Sequence, residues 1–158
     1  MTEEQPHKVL LVVHHTTSPA LQELLDAALD GARADGIEGV EVRIRPALGA
    51  SVVDVLEADG FVLGTPANIG YMSGALKVFF DLVYYPTLTA KPGAPYGLYV
   101  HGNTDTAGAV RAVESITKGM GWERVHEPVT VTGGATKEGT EAVWELAATV
   151  AARLAGLG

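Results

Sequence analysis

Short apolar runs alternate with helix-period segments along this chain, and no other feature limits its possible folds so strongly. Lys8 to His14, KVLLVVH, and Tyr96 to His101, YGLYVH, are continuous runs, the pattern of strands covered on both faces. Gly60 to Leu63 is a third such run, and Pro128 to Thr132 supplies a last strand. Val40 to Ile44, VEVRI, alternates instead, with Glu41 and Arg43 on one side, so it reads as an edge strand with one wet face. Between the runs lie amphipathic segments. Leu21, Leu24, Leu25, Ala28 and Leu29 follow i, i+3, i+4, i+7, i+8 spacing. Leu76, Phe79, Phe80 and Val83 mark another helix, as do Val110, Val113 and Ile116, and Val143, Leu146, Ala147, Val150 and Leu154. With a short helix from Ser51, five strands and five helices alternate strictly. Such alternation predicts an α/β fold, a three-layer doubly wound five-stranded parallel sheet with right-handed crossovers. The expected strand order is 2-1-3-4-5.

Local signals set the expected boundaries. Ser18-Pro19 places a capping hydroxyl before a proline at the first helical position, where a missing N–H costs nothing. Gly31 and Gly36 bracket the end of that helix. Ser51-Val52-Val53-Asp54 has capping-box spacing, and Ser73 stands where the third helix needs a cap. That helix is expected to stop near Tyr84-Tyr85-Pro86, the fourth near Gly119 or Gly121, and the last to open at Thr136.

A chain of 158 residues fits one domain, 1–158, with residues 1–7 expected as a flexible N-terminal segment. No apolar run approaches the roughly 20 residues needed to cross a bilayer, and MTEEQPHK is not a secretory signal. The absence of cysteine rules out disulfides, thiolate metal sites and a cysteine nucleophile. The cytoplasm is therefore the expected location. Nineteen acidic against eleven basic residues give a formal charge of −8, which argues against a nucleic-acid partner, since phosphate neutralisation needs clustered Lys and Arg.

In a doubly wound sheet the loops after strands one, three and four gather at the topological switch point. Here they are His14 to Leu21, Thr65 to Ser73, and His101 to Gly108. Each is polar, and each leads into a helix N-terminus, whose free N–H groups favour an anion. Thr16, Thr17 and Ser18 add hydroxyl donors without a lysine or arginine; the same residues also serve as ordinary caps. Gly70 permits close backbone approach or positive φ, and Tyr71 is placed either to stack on a flat ring or simply to pack. Lys77 and Asp81, four apart, read as a surface pair.

The pattern Thr65-Pro66-x-x-x-Gly70-x-x-Ser73-Gly74-x-Leu76-Lys77-x-x-x-Asp81 resembles the second flavin-binding loop of the NAD(P)H-dependent FMN reductase and quinone reductase branch of the flavodoxin-like superfamily. The order of strands and loops extends the resemblance over nearly the whole chain. It implies a flavodoxin-like fold with FMN as cofactor and NADPH or NADH as co-substrate. It also implies that Thr16, Thr17, Ser18, Ala20 and Leu21 hold the FMN phosphate. Thr65, Pro66, Ala67, Asn68, Ile69, Gly70, Tyr71 and Ser73 would form the isoalloxazine loop, and His101, Gly102 and Asn103 would border the other ring edge. The homodimer is the usual state of that branch. Residues 14–21 depart from the flavodoxins proper in containing no glycine, and the third loop has no aromatic to cover the ring. Both departures favour the reductase branch over the carrier branch.

Other site types fit less well. His14, His15 and His101 are not spaced as a metal site, because adjacent strand residues face opposite ways, and no metal is expected. A phosphate-accepting receiver would need acidic residues where His14 and Thr65 stand. G-x-S-x-G, G-x-G-x-x-G and Walker patterns are absent. The leading expectation is an FMN-dependent oxidoreductase passing hydride from NAD(P)H to a quinone, flavin or similar acceptor. Its partners would be a small-molecule acceptor or a redox protein. No side chain is assigned as catalytic, because the cofactor carries that chemistry. An electron carrier and a cofactor-free interaction module are the alternatives.

Overall fold

The computed structural model describes residues 7–158, so nearly all of the N-terminal segment expected to be flexible lies outside the described residues. The strands are β1 (Lys8–His14), β2 (Val40–Pro46), β3 (Gly60–Asn68), β4 (Tyr71–Met72), β5 (Pro95–Gly102), β6 (Glu123–Arg124) and β7 (Val129–Thr132). The helices are α1 (Pro19–Ala32), α2 (Val52–Glu57), α3 (Gly74–Thr87), α4 (Thr106–Gly119) and α5 (Lys137–Leu154), with a 3-10 turn at Ala47–Gly49. The main sheet runs β2-β1-β3-β5, all parallel, matching the expected order. Its fifth position differs from expectation. Two short strands share it, with β6 pairing the start of β5 and β7 its end. The chain leaves the ladder between them, at His126 to Pro128, where proline can donate no ladder hydrogen bond.

Continuous apolar strands feed two cores. On one face Leu11, Val13, Phe61, Leu63, Leu98 and Val100 pack against α2, α3 and α4. On the other, Leu10, Val12, Val62 and Tyr99 meet Leu21, Leu24, Ala28, Leu146 and Val150 of α1 and α5. Each large apolar side chain so buried contributes about 1.5–3 kcal/mol. The edge strand β2 has its wet face: Glu41 and Glu57 both pair with Arg43 there.

The helix starts follow the local signals. Ser18 Oγ accepts from Leu21 N–H, Ser73 Oγ from Leu76 N–H, and Ser51 and Asp54 form the complete capping box. The stops do too: α1 ends at Ala32, between Gly31 and Gly36, and α3 ends one residue past Pro86. Gly31 itself lies in the last turn of α1, where a Cβ would come 2.1 Å from the Trp144 carbonyl oxygen, so it also allows α1 and α5 to touch. Pro86 lies inside α3, which continues to Thr87. The proline removes one N–H in the final turn, and Thr87 Oγ1 there donates 2.7 Å to the Val83 carbonyl.

Candidate functional site

β3 does not stop at Leu63 to release a long loop. It continues to Asn68, turns through Ile69 and Gly70, and returns as β4. Both turn residues have positive φ, 52° and 70°, as a tight two-residue hairpin requires. Thr65 and Ser73, expected at the ligand, are fully buried and hold the base of this hairpin: Ser73 N–H donates 3.0 Å to Thr65 Oγ1. Their side chains are committed to the protein. Asn68, Ile69 and Tyr71 are exposed along the hairpin, Ala67 is half-buried, and Pro66 is buried in register with His101.

The hairpin tip rests on the start of α4. A Cβ on Gly70 would lie 2.7 Å from the Asp105 carboxylate, and one on Gly102 would lie 2.9 Å from the Ala67 Cβ. Asp105, with φ of 50°, caps α4 through Gly108 N–H. The loop after β5 is thereby shorter than expected, because α4 begins at Thr106. Asn103 is exposed on it, while the His101 ring is tied through Nε2 to the Gly133 carbonyl. Asp105 lacked a sequence signal strong enough to name it as a cap, although Asp three residues before a glycine-containing helix start is compatible with one.

The β1–α1 segment joins the same end of the sheet. His15 N–H donates 3.0 Å to the Gly64 carbonyl, which anchors this segment to β3. Beyond that anchor, among the described residues, no protein acceptor takes the N–H of Thr16, Thr17, Ser18 or Ala20. Leu21 N–H goes to the Ser18 cap and the Leu21 side chain is core, so of the expected phosphate residues it contributes least. Thr16 Oγ1 shares a 2.8 Å hydrogen bond with His14 Nδ1. Burial, and then the neighbouring His15, hold the His14 imidazole below its ordinary value, so it is neutral at pH 7. His15 Nδ1 and Tyr99 Oη are buried without partners.

Four unpaired backbone donors at a helix start suit a phosphate group. The hairpin beside them, whose backbone is brought close by Gly70, Gly102 and Gly108, offers a surface for a flat ring. Residues and cofactor type thus fit. No group of three or more His, Asp or Glu residues among those described could hold a metal ion. Nor is any helix among them long and apolar enough to cross a membrane.

A family model described as NADPH-dependent FMN reductase matches residues 23–137. A flavodoxin from Aquifex aeolicus (strain VF5) is 38% identical over 72 residues, which are 46% of this chain and 38% of that protein. The match therefore spans well under half of that relative's length. Among solved structures, the WrbA-like flavodoxin from Agrobacterium tumefaciens superposes with a TM-score of 0.77 at 14% identity, covering 96% of this chain and 99% of that one. An oxidoreductase from Corynebacterium diphtheriae gives 0.69 at 19% identity, covering 97% of each chain. At these identities the structural likeness establishes the flavodoxin-like fold.

Proposed function

This chain belongs to the NADPH-dependent FMN reductase family, and on that premise we propose that it is an FMN-dependent oxidoreductase using NADPH or NADH to reduce a small acceptor such as a quinone or flavin. The observation that carries this reading is the run of free backbone donors at Thr16, Thr17, Ser18 and Ala20 beside the β3–β4 hairpin. Bound there, FMN would supply the hydride-accepting and electron-donating chemistry. The protein's own part is positional. The β1–α1 segment would hold the phosphate, and the hairpin's Pro66 to Tyr71 together with His101 to Asn103 would hold the ring. The exposure of Asn68, Ile69, Tyr71 and Asn103 leaves this surface open to a second substrate. No side chain needs to act as a general acid or base.

A second reading, a one-protein electron carrier, is favoured by the identity to a flavodoxin and by the formal charge of −8, which would attract a basic redox partner. Anaerobic mixing of the FMN-loaded protein with NADPH, then NADH, separates the two. Rapid bleaching of the flavin absorbance supports the reductase; an unchanged spectrum leaves the carrier. A protein that takes up no FMN at all rules out both.

A further inference from the structure

The three site segments, residues 14–21, 65–73 and 101–108, contain no lysine, arginine or glutamate and a single aspartate, Asp105. Its side chain is exposed at the seam between α4 and the hairpin tip. There Oδ1 accepts from Gly108 N–H at 3.3 Å, and a Cβ on Gly70 would lie 2.7 Å from Oδ2. Every acidic residue within α2, α3 and α4 has a basic partner: Asp54 meets Arg45, Glu57 meets Arg43, Asp81 meets Lys77 and Glu114 meets Arg124. Among the described residues no basic side chain pairs with Asp105. The backbone does not call for its charge. Asparagine caps a helix about as well and tolerates the left-handed region readily, so the φ of 50° and the bond to Gly108 would survive without a carboxylate.

A lone carboxylate repels anions and attracts cations over about a Debye length, roughly 8–10 Å at ordinary salt. Asn68, Ile69, Tyr71 and Asn103, the exposed residues of the acceptor surface, lie on the same hairpin and loop. We propose that Asp105 selects the acceptor by charge. The site takes uncharged or cationic acceptors, such as a quinone without acidic substituents, in preference to anionic ones such as a free flavin phosphate. In the favoured case a hydride passes from the reduced cofactor to the quinone, which takes one proton from solvent and leaves as the hydroquinone. The same carboxylate disfavours the negative charge that reduced FMN carries near neutral pH, and so lowers the midpoint potential. This rests on the reading that FMN binds along the hairpin, and it narrows the class of acceptor.

The test uses the full-length, FMN-loaded protein reduced with dithionite, which leaves the nicotinamide donor out of the measurement. Reoxidation by 1,4-naphthoquinone and by its anionic 2-sulfonate is followed at low salt in wild type, Asp105→Asn and Asp30→Asn. Asp30 is exposed on α1, so its variant removes the same unit of charge roughly 16 Å along that helix from the site. Asp105→Asn should narrow the preference for the uncharged quinone by roughly two- to fivefold, the effect of an exposed charge pair. The difference should fade at about 0.5 M salt. The midpoint potential of the bound flavin should rise by about 10–20 mV, that fold-change at about 30 mV per decade for two electrons. The melting temperature should hold, because the cap is kept, and Asp30→Asn should behave as wild type. Wild-type selectivity and potential in Asp105→Asn overturn the proposal. So does an equal change in Asp30→Asn, which assigns selectivity to net charge, or a change that persists at high salt, which assigns it to a disturbed cap. Wild type that takes up no FMN overturns the flavin reading itself.

Discussion

The Gly70 carbonyl lies so near Gly108 that a Cβ on Gly108 would sit 2.0 Å from its oxygen. Gly108 is in α4 and Gly70 is at the tip of the β3–β4 hairpin, so this one approach joins two of the three site segments. Alanine in place of a helical glycine is ordinarily stabilising by about 1 kcal/mol. Here the obstacle is backbone, which cannot swing aside, and overpacking of that kind costs about 1–3 kcal/mol. Gly108→Ala should therefore lower the melting temperature, and riboflavin and FMN affinity should fall together. A stabilised variant with full affinity would show that the hairpin tip does not depend on α4.

Ile69 is fully exposed and β-branched, yet has φ of 52°. A left-handed conformation costs an L-residue roughly 1–2 kcal/mol, and asparagine tolerates it far better. Ile69→Asn also creates Asn-Gly, the preferred pair for such a hairpin turn. The variant should be more stable by about 1 kcal/mol in urea unfolding. If the strained tip is kept for contact with the flavin ring or the second substrate, FMN and riboflavin binding, or steady-state reduction of the acceptor, should weaken at the same time. Greater stability with unaltered binding and turnover would remove the tip from the site.

Ser18 caps α1 through Leu21 N–H. Aspartate caps a helix about as well as serine, so Ser18→Asp should leave the melting temperature nearly unchanged. It would place a carboxylate among the donors assigned to the phosphate, where juxtaposed like charges cost several kcal/mol. FMN affinity should fall at least a hundredfold and riboflavin affinity little. Retention of FMN affinity would move the phosphate elsewhere.

His14 carries a pH prediction. Burial lowers its folded pKa beneath the ordinary value of about 6.5. The unfolded chain therefore binds the proton more readily, and the stability contributed by neutral His14 is complete above about pH 6.5 and lost as pH falls towards the folded value. Urea unfolding between pH 7.5 and 5 should show this decline in the flavin-free protein, and His14→Gln should flatten it. Identical slopes in the two proteins would assign the decline to other groups.

Legibility differed by residue in a consistent way. Ser18, Ser51 and Ser73 were readable as caps because each bond spans three residues and needs nothing from the rest of the chain. The three continuous apolar strand runs were readable because both faces of a central strand must be covered. Thr65 was misread as a ligand-facing loop residue. Its role depends on β4 returning to pair with β3, and a two-residue strand leaves almost no periodicity to detect. Gly31 is readable as a mark of the helix end, but only the packing of α5 shows what its missing side chain makes room for.

By itself, then, the sequence determined the succession of elements, most helix starts and the parallel order of the sheet, since those follow from hydrophobic period and from hydrogen bonds a few residues long. Tertiary structure alone decided that β3 doubles back as a hairpin, that the far edge is shared by β6 and β7, and that the Tyr99 ring lies across Gly64. Each of those depends on a partner supplied by a distant part of the chain, and whether such a partner is present is settled only when the strands and helices pack.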